Sequence, residues 1–189
     1  MDDLAGLLVR LFCDVPYVYL SWPALAMVAG TLLAAIAPRA AQSLSVVPRT
    51  AAGLVGLATA PFIHFGFAHL AANLPPFLVL GFLVLQRGPR HFLAASLLIA
   101  AMQGGLLWLL GRRAAHAGMS GILFGYFGFI VAAGWLAHAA LDLAVACGVL
   151  LLYGGMLAGI APARNGTSWE GHLFGIAAGG VSAWILIRA

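Results

Sequence analysis

Lysine is absent from this sequence of 189 residues, and all nine of its basic residues are arginines. Only 7% of the residues are charged, whereas 63% are hydrophobic and the mean hydropathy is +1.06. Soluble proteins carry about 25% charged residues on average, so this composition excludes a water-soluble domain. It predicts a chain that crosses a membrane several times.

Cysteine is scarce as well. Cys13 precedes the first hydrophobic run and Cys147 lies inside a later one, so the sequence predicts no disulfide framework. Five acidic residues leave a net charge of +4. The arginines are spread over short connections between hydrophobic runs, which is typical of helix ends at lipid headgroups. We therefore expect a lipid bilayer as the surroundings and no nucleic-acid partner.

The hydrophobic runs predict about six membrane-spanning helices, because each span needs ~20 residues. They lie at roughly 17–37, 62–85, 91–110, 118–136, 141–160 and 168–187. Residues 1–16 place leucines on one helical face and predict a short segment lying on the membrane surface. The predicted fold is an all-α, six-helix membrane bundle that forms a single domain over residues 1–189.

Polar residues stand at the starts of three of these runs. His69 and Asn73 lie near the start of the second span, Ser120 near the start of the fourth and His172 near the start of the sixth. Because consecutive spans alternate in direction, the second, fourth and sixth start on the same side of the membrane. We therefore expect all four side chains at similar depth on one side.

Ser120 and His172 have the chemistry of a nucleophile and a base. A serine hydroxyl is a weak nucleophile until a base takes its proton, and a histidine is the side chain best suited to that task. Ser120 follows Gly118 and Met119 at a predicted helix start, where unpaired N–H groups and the helix dipole favour a developing negative charge.

Three further patterns support this pairing. Gly171, Gly175 and Gly179 recur every four residues in the sixth span, as Gly121 and Gly125 do in the fourth, and such spacing lets membrane helices approach closely. His69 and Asn73 are four residues apart and share a helix face, where both can donate hydrogen bonds to an oxyanion. Thr167 and Glu170 match the pattern of a capping box at the start of the sixth span.

These motifs, taken in order, resemble the rhomboid family of intramembrane serine proteases. The matching segments are His64-x4-His69-x3-Asn73, Gly118-Met119-Ser120-Gly121 and Gly171-His172-x2-Gly175-x3-Gly179. The resemblance extends over about 60% of the chain, from the second to the sixth span. One departure is Phe124, which stands where many members have a tyrosine that packs against the histidine.

The resemblance implies a Ser120–His172 catalytic dyad without an acidic third member. It implies that His69 and Asn73 stabilise the oxyanion together with the Ser120 backbone, and that Gly118 and Met119 belong to the substrate-binding segment. No cofactor or metal is implied. The implied substrates are single-span transmembrane proteins, cut in or near the bilayer, with small residues favoured at the cut site.

The same resemblance implies a bacterial plasma-membrane protein with a cytoplasmic N-terminus and an active site open to the outside. Charge counting does not decide this orientation, because the arginines divide four against five between the two sides. The sequence does not indicate an oligomeric state or name a physiological substrate.

Three other functions compete with proteolysis. A non-catalytic relative could bind membrane clients, although such proteins typically lack the serine or the histidine. A metal-dependent enzyme could use His64, His69 and His172, but no H-E-x-x-H pattern is present. A transporter would be expected to have an inverted repeat or a pair of broken helices, and the sequence indicates neither.

Overall fold

The computed structural model describes residues 16–162 and 166–188, which form helices joined by loops. In chain order the helices are α1 (Val18–Ile36), α2 (Pro38–Ser43), α3 (Gly56–Thr59), α4 (Phe67–Leu85), α5 (Pro89–Leu110), α6 (Ser120–Leu136), α7 (Ala140–Tyr153) and α8 (Trp169–Arg188). Short 3-10 helices flank α3 at Ala52–Leu54 and Ala60–Phe62, and another, Gly154–Ile160, follows α7. The surface segment predicted at residues 1–16 lies, except for Pro16, outside the described residues.

The all-helical membrane architecture is confirmed, but the count of six spans is not. In the described part of the chain, five helical segments are long and apolar enough to cross a membrane. They are Val18–Ile36, Phe67–Leu85, Pro89–Leu110, Ala140–Ile160 and Trp169–Arg188. The predicted fourth span corresponds to α6, which has only 17 residues. Most of α6 is buried among other helices, so its length is set by its neighbours and not by the thickness of the bilayer.

Glycine and proline set two of the helix starts. The second span was expected to begin near residue 62, but α4 begins at Phe67. The preceding residue, Gly66, has φ +108°, a backbone conformation outside the α-helical region. Helix α5 begins at Pro89, directly after Gly88 with φ +96°. Proline suits the first helical position because its missing N–H would have no partner there.

Helix α8 packs against α6, and the two backbones touch. A Cβ atom added at Gly175 would lie 2.2 Å from the Gly121 carbonyl oxygen, and one at Gly179 would lie 2.0 Å from the Gly125 carbonyl oxygen. The predicted close approach of the fourth and sixth spans is thus confirmed. Carbonyl oxygens of α6 occupy the space that side chains of α8 would otherwise fill.

Adding one methyl group at this contact should destabilise the protein strongly. We expect Gly179→Ala to lower the free energy of unfolding in detergent micelles by about 2 kcal/mol or more, because the atoms it meets belong to the backbone and cannot move aside. Gly180→Ala is the matched control, since a Cβ there meets nothing within 4 Å. Equal stability of the two variants would contradict the backbone contact.

Candidate active site

Ser120 and His172 meet where α6 and α8 begin. Their Oγ and Nε2 atoms are 2.9 Å apart, which is a hydrogen-bond distance. Ser120 is the first residue of α6, and His172 lies one turn inside α8, with its backbone N–H bonded to the Ser168 carbonyl. The glycine contact between the two helices holds this distance.

The second nitrogen of His172 faces a backbone carbonyl. Nδ1 lies 2.9 Å from the Gly159 carbonyl oxygen, in the 3-10 helix after α7. Because a carbonyl oxygen can only accept, Nδ1 must carry the proton, and Nε2 of the neutral ring is left to accept from the Ser120 hydroxyl. Gly159 was not predicted, and its only signal in the sequence is a group of glycines near the end of the fifth span.

Phe124 lies flat against His172. The ring centroids are 4.1 Å apart and the planes differ by 4°. Phe124 is buried one turn after Ser120 on α6. Its aromatic ring therefore limits the rotation of the imidazole, as expected if phenylalanine replaces tyrosine at this position.

The segment before Ser120 is held by two histidines. Gly118 has φ +110°, and a Cβ atom there would lie 2.8 Å from the Nε2 and Cε1 atoms of His69. The Met119 N–H donates to Nε2 of buried His64 over 3.3 Å, and the His64 and His69 rings meet edge to face at 4.9 Å. The Met119 side chain packs in the core. His64 thus contacts the segment just before Ser120.

Asn73 lies one turn below His69 on α4 and is buried. Its Nδ2 group donates to the His69 carbonyl oxygen over 2.8 Å, so one of its two amide protons stays available. Its Oδ1 atom is buried and has no hydrogen-bond partner among the described residues.

One open cavity brings four of the predicted residues together. His69, Asn73, Ser120 and His172 all line a cleft with a volume of about 560 Å³. Gly118 and Met119 lie behind it and do not line it, so their proposed part in substrate binding stays a prediction. Ala114–Ala117 and Gly166–Ser168, from the loops before α6 and α8, also line the cleft.

A second, much smaller cavity lies on the inner side of Ser120. Its volume of about 30 Å³ is enough for a water molecule, which needs roughly 10–15 Å³. Gln103, His116, Ser120 and Ser168 contribute polar groups to its walls. Gln103 also packs against Gly121, so a polar side chain of α5 reaches the start of α6.

A polar cluster that sequence reasoning missed joins the loop after α5 to the start of α8. Arg112 contacts the Glu170 carboxylate at 3.5 Å and also donates to the Thr167 carbonyl. His116 lies 2.7 Å from the Ser168 hydroxyl through Nδ1. The predicted capping box is wrong, because α8 begins at Trp169 and not directly after Thr167. The Glu170 side chain contacts Arg112 instead.

The histidines do not form a metal site of the kind the metal-dependent alternative requires. Among the described residues, no three His, Cys, Asp or Glu side chains come together as metal ligands would. Both ring nitrogens of His172 already face Ser120 and Gly159. His64 Nε2 faces the Met119 N–H.

The sequence of residues 51–189 matches the family model of the rhomboid domain. The chain belongs to the rhomboid family. It is also similar to an uncharacterized protein of Mycobacterium leprae, at 36% identity over 142 residues, which are 70% of this chain and 56% of that protein. Uncharacterized proteins of Mycobacterium bovis and Mycobacterium tuberculosis are 38% identical over 143 residues, or 71% of this chain and 60% of theirs. The match thus spans less than two thirds of these relatives.

His64 gives the stability of the protein a dependence on pH. Burial, reinforced by nearby His69, lowers the pKa of His64 from 6.5 to about 4 in a loop outside the membrane-spanning helices. The unfolded chain binds a proton at His64 below pH 6.5, whereas the folded chain does so only below about pH 4. Stability therefore falls as the pH drops from 6.5 to 4, and this contribution changes no further below pH 4.

We expect this histidine to account for a loss of up to about 3 kcal/mol in unfolding free energy across that interval. The unfolding free energy is measured in micelles from pH 7.5 to pH 4. Over this range, it should fall by about 3 kcal/mol less in His64→Gln than in the wild type. His91→Gln, which replaces an exposed histidine, is the matched control for exchanging a histidine for glutamine. If the unfolding free energy of His64→Gln falls as steeply with pH as that of the wild type, His64 does not cause the pH dependence.

Proposed function

We propose that this protein is an intramembrane serine endopeptidase that cleaves single-span membrane proteins with a Ser120–His172 dyad. The hydrogen bond from the Ser120 hydroxyl to His172 Nε2 carries this proposal. The Gly159 carbonyl supports it, because it fixes the tautomer in which Nε2 is the base. In the same proposal, α6 completes a bundle of six membrane helices.

In the first half of the reaction, Ser120 Oγ attacks the scissile carbonyl carbon while His172 Nε2 takes the hydroxyl proton. The tetrahedral intermediate then collapses, the C–N bond breaks and His172 returns the proton to the leaving amine. The Gly159 carbonyl accepts from Nδ1–H throughout. It performs the orienting part of the task that an acidic residue performs in a triad, without adding a full negative charge.

Negative charge on the substrate oxygen is stabilised by donors around the cleft. The Ser120 N–H is one of the first N–H groups of α6, which have no acceptor within the helix. His69 and Asn73 line the same cleft from α4, and the free proton of the Asn73 amide is a second donor. One such donor typically contributes about 3 to 4 kcal/mol to the transition state.

Deacylation needs water at a site that lies within an apolar bundle. The cavity beside Ser120 offers a water molecule polar partners from Gln103 and Ser168. A water molecule that attacks the ester carbon gives its proton to His172 Nε2. His172 then returns this proton to Ser120 Oγ as the Ser120–acyl bond breaks. The open cleft supplies bulk water from the membrane surface on this side.

The substrates we propose are transmembrane segments that unwind locally and enter the cleft as extended chain, with small residues at the cut site. The proposed setting is a bacterial plasma membrane with the cleft facing outward. No metal or organic cofactor takes part in the proposed reaction. The alternative of non-catalytic client binding predicts a bound substrate that stays intact.

Removing the nucleophile should abolish cleavage and leave the fold intact. We expect Ser120→Ala to lower the cleavage rate of a purified single-span reporter substrate by about 10⁴-fold or more, with EDTA present throughout. Ser182→Ala is the control, because it removes a buried hydroxyl that only donates to the Ala178 carbonyl. Full activity of Ser120→Ala would exclude the dyad. If wild type and Ser120→Ala both leave the reporter intact, labelling of Ser120 by a fluorophosphonate decides between a wrong reporter and client binding.

The backbone behind the nucleophile can be tested with two glycines. Gly118 and Gly66 both have positive φ, so alanine strains the backbone at either position, but only at Gly118 would it also strike His69. We expect Gly118→Ala to lower kcat about 100-fold more than Gly66→Ala, as the loss of one oxyanion donor would. Similar kcat values for the two variants would argue against a role for His69 at the oxyanion.

A further inference from the structure

Three arginines surround an open pocket on the same face of the protein as the cleft. Arg39 comes from α2, Arg49 from the following loop and Arg113 from the loop after α5. Gln42, Ser43 and Thr50 add polar groups to the walls of this arginine pocket, which has a volume of about 780 Å³. All three arginines are exposed. The pocket borders the cleft at Ala114 and Ala115, which line both.

Among residues 16–162 and 166–188, no acidic side chain balances the charge of the arginine pocket. The described part of the chain contains two carboxylates, and each already has a cationic partner. Asp142 pairs with Arg87 at the opposite end of the bundle, and Glu170 pairs with Arg112. Three positive charges in one concave site therefore face outward, and they favour an anionic ligand.

The arginine pocket lies where the lipid-facing surface ends. Ile36, the last residue of α1, is 82% exposed, and Arg39 follows it within one turn. Leu109 and Leu110, at the end of α5, are 54% and 66% exposed and lead directly to Arg113. Exposed aliphatic side chains at these helix ends mark the edge of the hydrocarbon layer. The three guanidinium groups therefore lie at the level of the lipid headgroups.

Arg49 is held in an unfavourable backbone conformation at this pocket. Its φ is +58°, a region in which glycine or asparagine is usual. Its N–H donates to the Trp108 carbonyl over 3.0 Å, and its Nη1 group donates to the Leu109 carbonyl over 2.8 Å. Strained non-glycine residues occur preferentially at binding sites. The bond to Leu109 uses one of the guanidinium donors and leaves the others for a ligand.

We propose that the arginine pocket binds the phosphate of an anionic glycerophospholipid, of the phosphatidylglycerol type. Guanidinium groups pair with phosphate through two parallel hydrogen bonds, and basic pockets at the ends of membrane helices hold anionic headgroups. An acidic peptide segment of a substrate has similar charge. The headgroup is favoured because exposed Ile36, Leu109 and Leu110 place acyl chains directly beside the arginines. This proposal does not depend on the proposed proteolysis.

The test uses the whole protein in nanodiscs of phosphatidylcholine that contain a trace of phosphatidylglycerol with a photoreactive headgroup. Cross-linked peptides are mapped by mass spectrometry, and unlabelled phosphatidylglycerol competes for the site. We expect cross-links within residues 37–50 and 111–117. Each arginine near a membrane surface contributes about five-fold in affinity. Arg39→Gln/Arg113→Gln should therefore raise about 25-fold the amount of unlabelled phosphatidylglycerol needed to suppress the cross-links.

Two controls make the result decisive. The double variant keeps Arg49 and its hydrogen bond to Leu109, so the loop should stay folded. Arg90→Gln/Arg188→Gln removes two exposed arginines from the opposite end of the bundle and should leave these cross-links unchanged. Unchanged competition in Arg39→Gln/Arg113→Gln would overturn the proposal. The proposal would also be overturned if inorganic phosphate displaced the photoreactive lipid as effectively as phosphatidylglycerol does. The same holds if only an acidic substrate peptide displaced it.

Discussion

The contact between α6 and α8 is a contact between two backbones, and the geometry of the site depends on it. Carbonyl oxygens of Gly121 and Gly125 lie where side chains at Gly175 and Gly179 would be. Apolar side chains give little driving force for association in a membrane, because lipid tails are equally apolar, so close van der Waals packing must supply it. The same contact brings the start of α6 to the start of α8, and Ser120 and His172 then meet at 2.9 Å.

The distance to Ser120 alone does not fix the imidazole of His172, because the ring can rotate and can exist in two tautomers. Gly159 and Phe124 limit both freedoms, one through a hydrogen bond to Nδ1 and the other by stacking. The two constraints come from different parts of the chain, since Gly159 lies in the 3-10 helix after α7 and Phe124 lies near the start of α6. Arg112 and Glu170 then tie the loop after α5 to the first turn of α8. The imidazole is thus held at Nδ1, at Nε2 and on one face, and it still borders the open cleft.

The sequence predicted the parts of this structure that repeat or alternate. Hydrophobic runs indicated the membrane helices, alternation placed Ser120 and His172 on one side, and glycines four residues apart indicated which helices touch. Other features depend on contacts that have no periodic signal. The Gly159 carbonyl is a backbone group that any residue carries, and the partner of Glu170 lies 58 positions away in the chain. The shortness of α6 follows from its burial among other helices, which hydropathy does not record.

Many of the atoms that set the geometry of the site belong to the main chain. They include the carbonyl oxygens of Gly121, Gly125 and Gly159 and the N–H of Met119. A main-chain atom stays in place when the residues on the lipid-facing side of the same helix are exchanged for others of similar hydropathy. The outer surface of this bundle can therefore diverge freely in sequence while the site keeps its shape. Exchanges there alter the contact with lipid and leave the main-chain atoms of the site where they are.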